Sequence, residues 1–100
     1  MINSTDILDI NAIRDYFKTQ PVLKVWLFGS YARGEQTDNS DVDLLVEFER
    51  SISLLTHAGM MVNLSEILNK KVDIVENGTL YPRVSQYVEE DKILIYERTA

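Results

Sequence analysis

The sequence contains no cysteine, so it can form neither a disulfide framework nor a thiolate site. It has no apolar run of the ~18 residues that a membrane-spanning helix needs. The N-terminal stretch MINSTDILDI has no basic region and no long apolar segment, and therefore does not resemble a signal peptide. Basic clusters are also missing, since Lys70 and Lys71 form the only adjacent pair of cations. These absences predict a cytoplasmic protein that does not bind a membrane.

The chain has the size and composition of one globular domain. Its 100 residues are 45% apolar and 26% charged, which is ordinary for a soluble domain with one modest core. Sixteen acidic and ten basic residues give a net charge of −6. This charge argues against direct nucleic-acid binding, because a phosphate backbone is bound through clustered Lys and Arg. No repeat or linker divides the chain, so we expect residues 1–100 to form a single domain.

Hydrophobic periodicity and turn residues predict four helices that alternate with four strands. Ser4, Thr5 and Asp6 are the candidate N-caps of a first helix that ends near Thr19. The other helices are expected over about 31–35, 53–69 and 80–90, and the strands over about 22–28, 41–49, 71–76 and 93–97. This order is typical of either a doubly wound sheet or a mixed α/β sheet.

Two aspartates stand at the start of the second predicted strand. Alternation along a strand places Asp41 and Asp43 on one face and Val42 and Leu44 on the other. Asp73, in the third predicted strand, completes a cluster of three carboxylates if the two strands are neighbours. Carboxylates this close raise each other's pKa unless a cation lies between them. Such oxygen ligands suit Mg²⁺, and two Mg²⁺ ions can hold the attacking and leaving oxygens of a phosphoryl transfer.

A glycine–serine pair follows the first predicted strand. Gly29 allows the backbone to come close to a ligand, and Ser30 offers a hydroxyl at the start of a short helix. The N–H groups at a helix start suit an anion, so this turn is a candidate site for a polyphosphate. Metal ions on Asp41 and Asp43 could then bridge that polyphosphate to the second strand.

Three further residues each admit two interpretations. Arg33 either contacts phosphate or pairs with Glu35 or Asp38. Ser40 precedes the first candidate metal ligand, and either touches the triphosphate or serves as a turn residue. His57 is the only histidine and falls within a predicted helix without a visible partner, so we expect it to be a surface residue rather than a catalytic one.

The Gly-Ser pair, ten residues and the Asp-x-Asp pair form the pattern GS-x10-DxD, which resembles the signature of the nucleotidyltransferase superfamily related to DNA polymerase β. The fuller string GSYARGEQTDNSDVDLLVEF is similar to the prokaryotic branch called minimal nucleotidyltransferases, or MNT domains. The resemblance covers almost the whole chain. It implies a mixed sheet with helices packed on one face, and Mg²⁺-dependent transfer of a nucleoside monophosphate from a nucleoside triphosphate.

The resemblance also implies roles for individual residues. Carried over by position, Gly29 and Ser30 hold the triphosphate, Asp41 and Asp43 bind metal, and Asp73 is the third carboxylate. Arg33 and Ser40 are further candidates for contact with the nucleotide.

Proteins of the MNT branch suggest a partner as well as an activity. Many of them are antitoxins encoded beside a HEPN toxin, and they transfer AMP from ATP to a tyrosine of that toxin. The resemblance therefore implies an adenylyltransferase antitoxin as the leading hypothesis. Two alternatives stay open: an antitoxin that masks its toxin without catalysis, and a small-molecule nucleotidyltransferase. The second alternative needs more chain to enclose its acceptor than 100 residues provide.

Overall fold

The computed structural model describes residues 8–79 and 82–99, in which helices and strands alternate. In chain order the elements are α1 Ile10–Phe17, β1 Val22–Phe28, α2 Ser30–Arg33, β2 Val42–Phe48, α3 Leu54–Leu68, β3 Val72–Glu76, α4 Pro82–Asp91 and β4 Ile93–Glu97. All eight predicted elements are therefore found. Of the helices described, none is long and apolar enough to cross a bilayer.

The first helix begins later than the sequence predicts. Asp9 is its N-cap, and the Asp9 side chain accepts a hydrogen bond of 3.0 Å from the backbone N–H of Ala12. That bond satisfies one of the donors that a helix start leaves without an intrahelical partner. The expected start near residue 6 is wrong, because residues 8 and 9 are not helical. The candidate caps Ser4, Thr5 and Asp6 lie outside the described residues.

The four strands form one mixed sheet in the order β3-β2-β1-β4. β1 is antiparallel to both β2 and β4, whereas β2 and β3 are parallel. A parallel pair needs a crossover connection, and α3 lies in that connection. The sheet is thus mixed rather than doubly wound. Because β1 and β2 are antiparallel, the end of β1 and the start of β2 meet at the same place in the sheet.

One face of the sheet carries the main apolar core, to which α1 and α3 contribute. The buried members of this cluster are Ile13, Phe17, Val22, Val25, Leu27, Val42, Leu44, Val46, Met60, Leu64, Val72, Ile74 and Ile95. On β2 the core residues Val42 and Leu44 flank Asp43. Since side chains alternate along a strand, the Asp43 carboxylate leaves β2 on the face away from this core.

α3 also covers the outer edge of β3. The hydroxyl of Ser65 accepts a hydrogen bond of 3.1 Å from the backbone N–H of Val72. Nε2 of His57 lies 2.7 Å from the carbonyl oxygen of Ile74, and the His57 ring lies 6.0 Å from the ring of Phe48. A carbonyl can only accept, so Nε2 is the protonated nitrogen. His57 therefore has a partner that the sequence did not reveal, because its side chain joins α3 to an edge strand.

A smaller row of apolar side chains lies on the opposite face. Leu94, Trp26, Leu45 and Val75 are cross-strand partners in the four strands, and Leu45 is only 1% exposed. The ammonium of Lys92 lies 4.7 Å from the centre of the Trp26 ring, within reach of a cation–π interaction. Lys92 directly follows α4, so the C-terminal end of α4 lies beside this face.

Candidate active site

β1 leads into a glycine that no other residue could easily replace. Gly29 has φ 77° and ψ −155°, and it is the N-cap of α2. A φ in this region disfavours residues with a side chain. A Cβ added here would overlap Oδ2 of Asp43 and would lie 3.2 Å from its Cγ. Gly29 is therefore required both by its backbone and by the close approach of the Asp43 carboxylate.

Three neighbouring strands bring the candidate residues into one row. Asp43 is the cross-strand partner of Phe28 in β1 and of Asp73 in β3. Cross-strand partners project from the same face of a sheet. Gly29, Asp43 and Asp73 thus follow one another across the sheet, and Asp41 lies immediately before β2. The structure brings the predicted carboxylates together on the face opposite the main core.

The electrostatics of Asp43 reflect this arrangement. Partial burial raises the pKa of the Asp43 carboxyl most, and the negative charges of Asp73 and Asp41 raise it further. The guanidinium of Arg33 acts in the opposite direction and lowers the pKa of Asp43. The site therefore holds more negative charge than its own cations balance, as expected where a positively charged ligand belongs.

The donor chemistry of the row suits Mg²⁺. Among residues 8–79 and 82–99, no three His, Cys, Asp or Glu side chains already converge on one metal position. Mg²⁺ commonly takes only one or two protein carboxylates and completes its shell with water and substrate phosphate. Asp41 and Asp43 meet that requirement. Oδ2 of Asp41 lies 3.7 Å from Nζ of Lys71, whose side chain is largely exposed.

Arg33 does pair with Glu35, one of the two partners considered for it, but its shorter contact is with Asp91. Nε of Arg33 lies 3.2 Å from Glu35, whereas Nη1 lies 2.7 Å from Oδ2 of Asp91 at the end of α4. These hydrogen bonds raise the pKa of Arg33, and Asp91 has the larger effect. Arg33 is thus held near Asp43 by an ion pair to a distant part of the chain.

The two candidate serines differ in their surroundings. The hydroxyl of Ser40 accepts a hydrogen bond of 2.8 Å from the backbone N–H of Thr37, as a turn residue would. The Ser30 hydroxyl makes no hydrogen bond within residues 8–79 and 82–99, although the Ser30 carbonyl accepts one of 2.9 Å from the N–H of Glu35. Ser30 is therefore the serine whose hydroxyl is available to a ligand.

Comparison with known proteins identifies the family. Residues 10–95 match the family model described as the nucleotidyltransferase domain. The chain belongs to this nucleotidyltransferase family. A relative from Methanocaldococcus jannaschii, provisionally named a protein adenylyltransferase, is 41% identical over 75 residues, which are 74% of this chain and 76% of the relative. The protein adenylyltransferase MntA of Thermococcus cleftensis is 35% identical over 74 residues, which are 74% of this chain and 75% of MntA.

Solved structures agree with this assignment. A structure provisionally described as a minimal nucleotidyltransferase is 38% identical, with a TM-score of 0.72 over 84% of this chain and 86% of the other. A toxin–antitoxin structure with AMP-PNP has a TM-score of 0.81 over 92% of this chain and 76% of the other, at 23% identity. At that identity the likeness shows the fold alone. The resemblance to the minimal nucleotidyltransferases, and the mixed sheet that it implies, are confirmed.

Two cavities flank the carboxylates of this nucleotidyltransferase. One, of about 630 Å³, lies between α3 and the start of β3 and reaches Asp73. The other, of about 400 Å³, is lined by the loop before β2, including Asp41, and by Lys70 and Lys71. Asn69 and Lys71 line both, so the two cavities are adjacent.

Sequence reasoning missed two residues that bear on the nucleotidyltransferase site. Asp91 is 58 positions from Arg33 in the chain, and no local pattern links an acid at the end of α4 to the short helix α2. Lys71 was noted only as half of a basic pair, yet it contacts Asp41. The parallel register of β2 and β3 explains the second contact, since Val42 and Val72 are partners and Asp41 and Lys71 directly precede them.

Proposed function

We propose that this chain is a Mg²⁺-dependent adenylyltransferase antitoxin that acts in the cytoplasm and transfers AMP from ATP to a tyrosine of a HEPN-type toxin. The observation that carries the proposal is the row formed by Gly29, Asp43 and Asp73 across three strands. The row puts a backbone turn suited to close contact with phosphate beside carboxylates suited to metal. That is the combination that in-line transfer of a nucleotidyl group requires.

Each part of the row has a task in the reaction. Asp41 and Asp43, with Asp73 as a third ligand, would hold Mg²⁺, and the metal supplies charge to balance the triphosphate when it is bound. The turn at Gly29 lets the triphosphate approach the backbone, and the Ser30 hydroxyl is available to donate a hydrogen bond to it. The acceptor oxygen forms a bond to the α-phosphorus, and the bond from that phosphorus to the bridging oxygen of pyrophosphate breaks. The acceptor proton passes to the exposed carboxylate of Asp73.

Related proteins support the choice of nucleotide and partner. A relative at 35% identity is named a protein adenylyltransferase, and a relative at 41% identity carries that name provisionally. One solved complex with the same fold is described as a tri-AMPylated HEPN toxin from Shewanella oneidensis bound to an MNT antitoxin, and another as MntA-HepT. Ligand sites bury most of their ligand, and a partner protein would bring its own wall to the site.

Neutralisation by masking is a second candidate, and exposed apolar side chains on α3 favour it. Leu54 and Leu55 are 85% and 83% exposed, and Val62 on the same helix is 56% exposed. An apolar helix face of this kind can bury surface against a partner without any chemistry. Masking and modification make different predictions for variants that lack the carboxylates.

The deciding experiment measures the intact mass of a HEPN-type toxin after incubation with the chain, ATP and Mg²⁺. We expect a gain of about 329 Da for each AMP that the in-line transfer attaches. Asp41→Ala and Asp43→Ala should abolish the gain and still melt as folded proteins. Asp15→Ala is the matched control, because Asp15 is an exposed acid that pairs with Lys18 on α1. Unchanged toxin mass, with toxicity still suppressed by the double aspartate variant, would replace the enzyme with the masking antitoxin.

A further inference from the structure

The larger of the two cavities is a groove between α3 and the start of β3. α3 contributes Met61, Val62 and Glu66 to it, and β3 contributes Asp73. Its volume of about 630 Å³ falls within the range of roughly 300–1,000 Å³ typical of ligand sites. One residue of the candidate active site, Asp73, therefore also lines a groove large enough to bind part of another molecule.

The position of the groove relative to the row of Gly29, Asp43 and Asp73 decides which reactant, the nucleotide or the acceptor, can bind in it. Across the sheet the order is Gly29, then Asp43, then Asp73, and the groove begins at Asp73. In phosphoryl transfer the attacking and leaving oxygens lie roughly in line on opposite sides of the phosphorus. If the pyrophosphate leaves on the Gly29 side, the acceptor enters on the Asp73 side. The groove is the cavity that opens there.

The side chains that line the groove also suit an acceptor better than a nucleotide. Met61 and Val62 give it apolar side chains, and Glu66 and Asp73 give it two negative charges. Among the described residues that line the groove, Lys71 is the one cation, and it lies within ion-pair distance of Asp41. This balance disfavours a triphosphate and favours a neutral or basic ligand with apolar contacts. The neighbouring cavity is lined by two acids, Asp38 and Asp41, and by two cations, Lys70 and Lys71.

We infer that the groove between α3 and β3 binds the segment of the acceptor protein that carries the modified hydroxyl. This inference rests on the proposed function and adds the recognition surface to it. The segment has apolar side chains that contact Met61 and Val62, and a Lys or Arg that lies opposite Glu66. Its hydroxyl reaches Asp73, which takes the proton as the acceptor oxygen bonds to the α-phosphorus and pyrophosphate leaves.

A pair of variants on one helix tests this site. Val62 and Ile67 are both on α3 and are 56% and 51% exposed, but only Val62 lines the groove. In the transfer assay with a HEPN-type toxin, Val62→Asp should raise the KM for the toxin about tenfold or more, as expected when an apolar contact is replaced by a charge. The KM for ATP should stay within about twofold. Ile67→Asp should leave both values unchanged, and both variants should melt like the wild-type chain.

The outcomes separate this inference from the proposed function. Equal kcat/KM for the toxin in Val62→Asp, Ile67→Asp and the wild-type chain would overturn the groove while leaving the transferase in place. No transfer by the wild-type chain would overturn the proposed function instead.

In that case, binding in the groove is tested separately, by adding N-acetyl-L-tyrosine amide to ¹⁵N-labelled protein and recording the chemical shifts of the backbone amides. Amide shifts at residues 61–66 and 71–73 that disappear in Val62→Asp would support it, and shifts elsewhere or none would overturn it.

Discussion

The carboxylate of Asp43 lies against the α-carbon of Gly29, so a side chain at position 29 and that carboxylate would occupy the same space. The contact joins the end of β1 to the start of β2, where the antiparallel register makes Phe28 the partner of Asp43. The glycine–serine turn and the pair of aspartates are therefore one structural unit. A substitution at Gly29 should therefore first displace the carboxylate of Asp43.

Gly29→Ala should inactivate the site without unfolding the protein. The added methyl group displaces the Asp43 carboxylate, and a displacement of about 1 Å at a catalytic group can cost roughly 100-fold in rate. We expect kcat/KM for AMP transfer to fall by about that factor, measured with α-labelled ATP and a HEPN-type toxin.

Gly34→Ala is the matched control for this effect. Gly34 has φ 73°, close to the φ of 77° at Gly29, but nothing lies within 4 Å of a Cβ added there. Gly34 has ψ 21° and lies in the left-handed helical region, so Gly34→Ala should cost on the order of 1–2 kcal/mol of stability. Gly29→Ala should cost more, because ψ −155° places Gly29 in a region nearly confined to glycine. Only Gly29→Ala should lose activity. Equal loss of activity in both would mean that backbone strain, and not contact with Asp43, is the cause.

Local sequence patterns were enough to predict much of the fold and much of the candidate site. Strand alternation around Asp43, and the spacing from Gly29 to Asp41, involve residues close in sequence, so the side of β2 that holds the carboxylates could be predicted. The pairing of Arg33 with Asp91 could not, because it depends on where α4 ends relative to α2 in space. The same holds for His57, whose hydrogen bond to Ile74 exists only once α3 packs beside β3.

Asp43→Asn should stabilise the chain near neutral pH. The pKa of Asp43 is raised in the folded state, so the folded protein binds this proton more tightly than the unfolded chain does. Ionisation of Asp43 therefore costs stability as the pH rises through the raised pKa, and the cost stays in place above it. The variant should melt at a higher temperature than the wild-type chain at neutral pH. Its advantage should shrink as the pH falls through the raised pKa and should be lost below the unfolded-state value of about 3.8.

The measurement is the melting temperature of both proteins from pH 3 to pH 8, in about ten steps without added divalent metal. Asp15→Asn changes the same charge at an exposed position on α1 and should not reproduce the gain. Addition of Mg²⁺ should raise the melting temperature of the wild-type chain more than that of Asp43→Asn. A variant less stable than the wild-type chain at neutral pH would contradict the raised pKa of Asp43 that burial and the neighbouring carboxylates cause.

Arg33→Gln should raise the pKa of Asp43 further. The positive charge of Arg33 opposes the effects of burial, Asp73 and Asp41 on that carboxyl, so its removal leaves those effects unbalanced. The carboxyl carbon of Asp43 followed by ¹³C NMR across a pH titration gives the value directly. Arg50→Gln removes another arginine that pairs with a glutamate, Glu49, and should leave the titration of Asp43 unchanged. An unchanged pKa in Arg33→Gln would mean that the guanidinium does not act on the site.

His57→Ala should destabilise the chain and leave nucleotide transfer intact. The Nε2–H of His57 donates to the Ile74 carbonyl at 2.7 Å, and the His57 ring lies beside Phe48. Removal of the imidazole leaves that carbonyl without its donor, at a cost of about 1–3 kcal/mol. For a domain of this size, 1 kcal/mol corresponds to a fall of roughly 4–8 °C in melting temperature.

Two further variants are the controls for His57→Ala. Leu55→Ala, at a position on α3 that is 83% exposed, should melt like the wild-type chain. His57→Gln should recover part of the loss, because its amide can donate to the same carbonyl. Transfer per folded molecule should be the same in all three variants, since His57 contacts neither the carboxylates nor Gly29. A loss of kcat without a loss of melting temperature in His57→Ala would instead place His57 in the catalytic machinery.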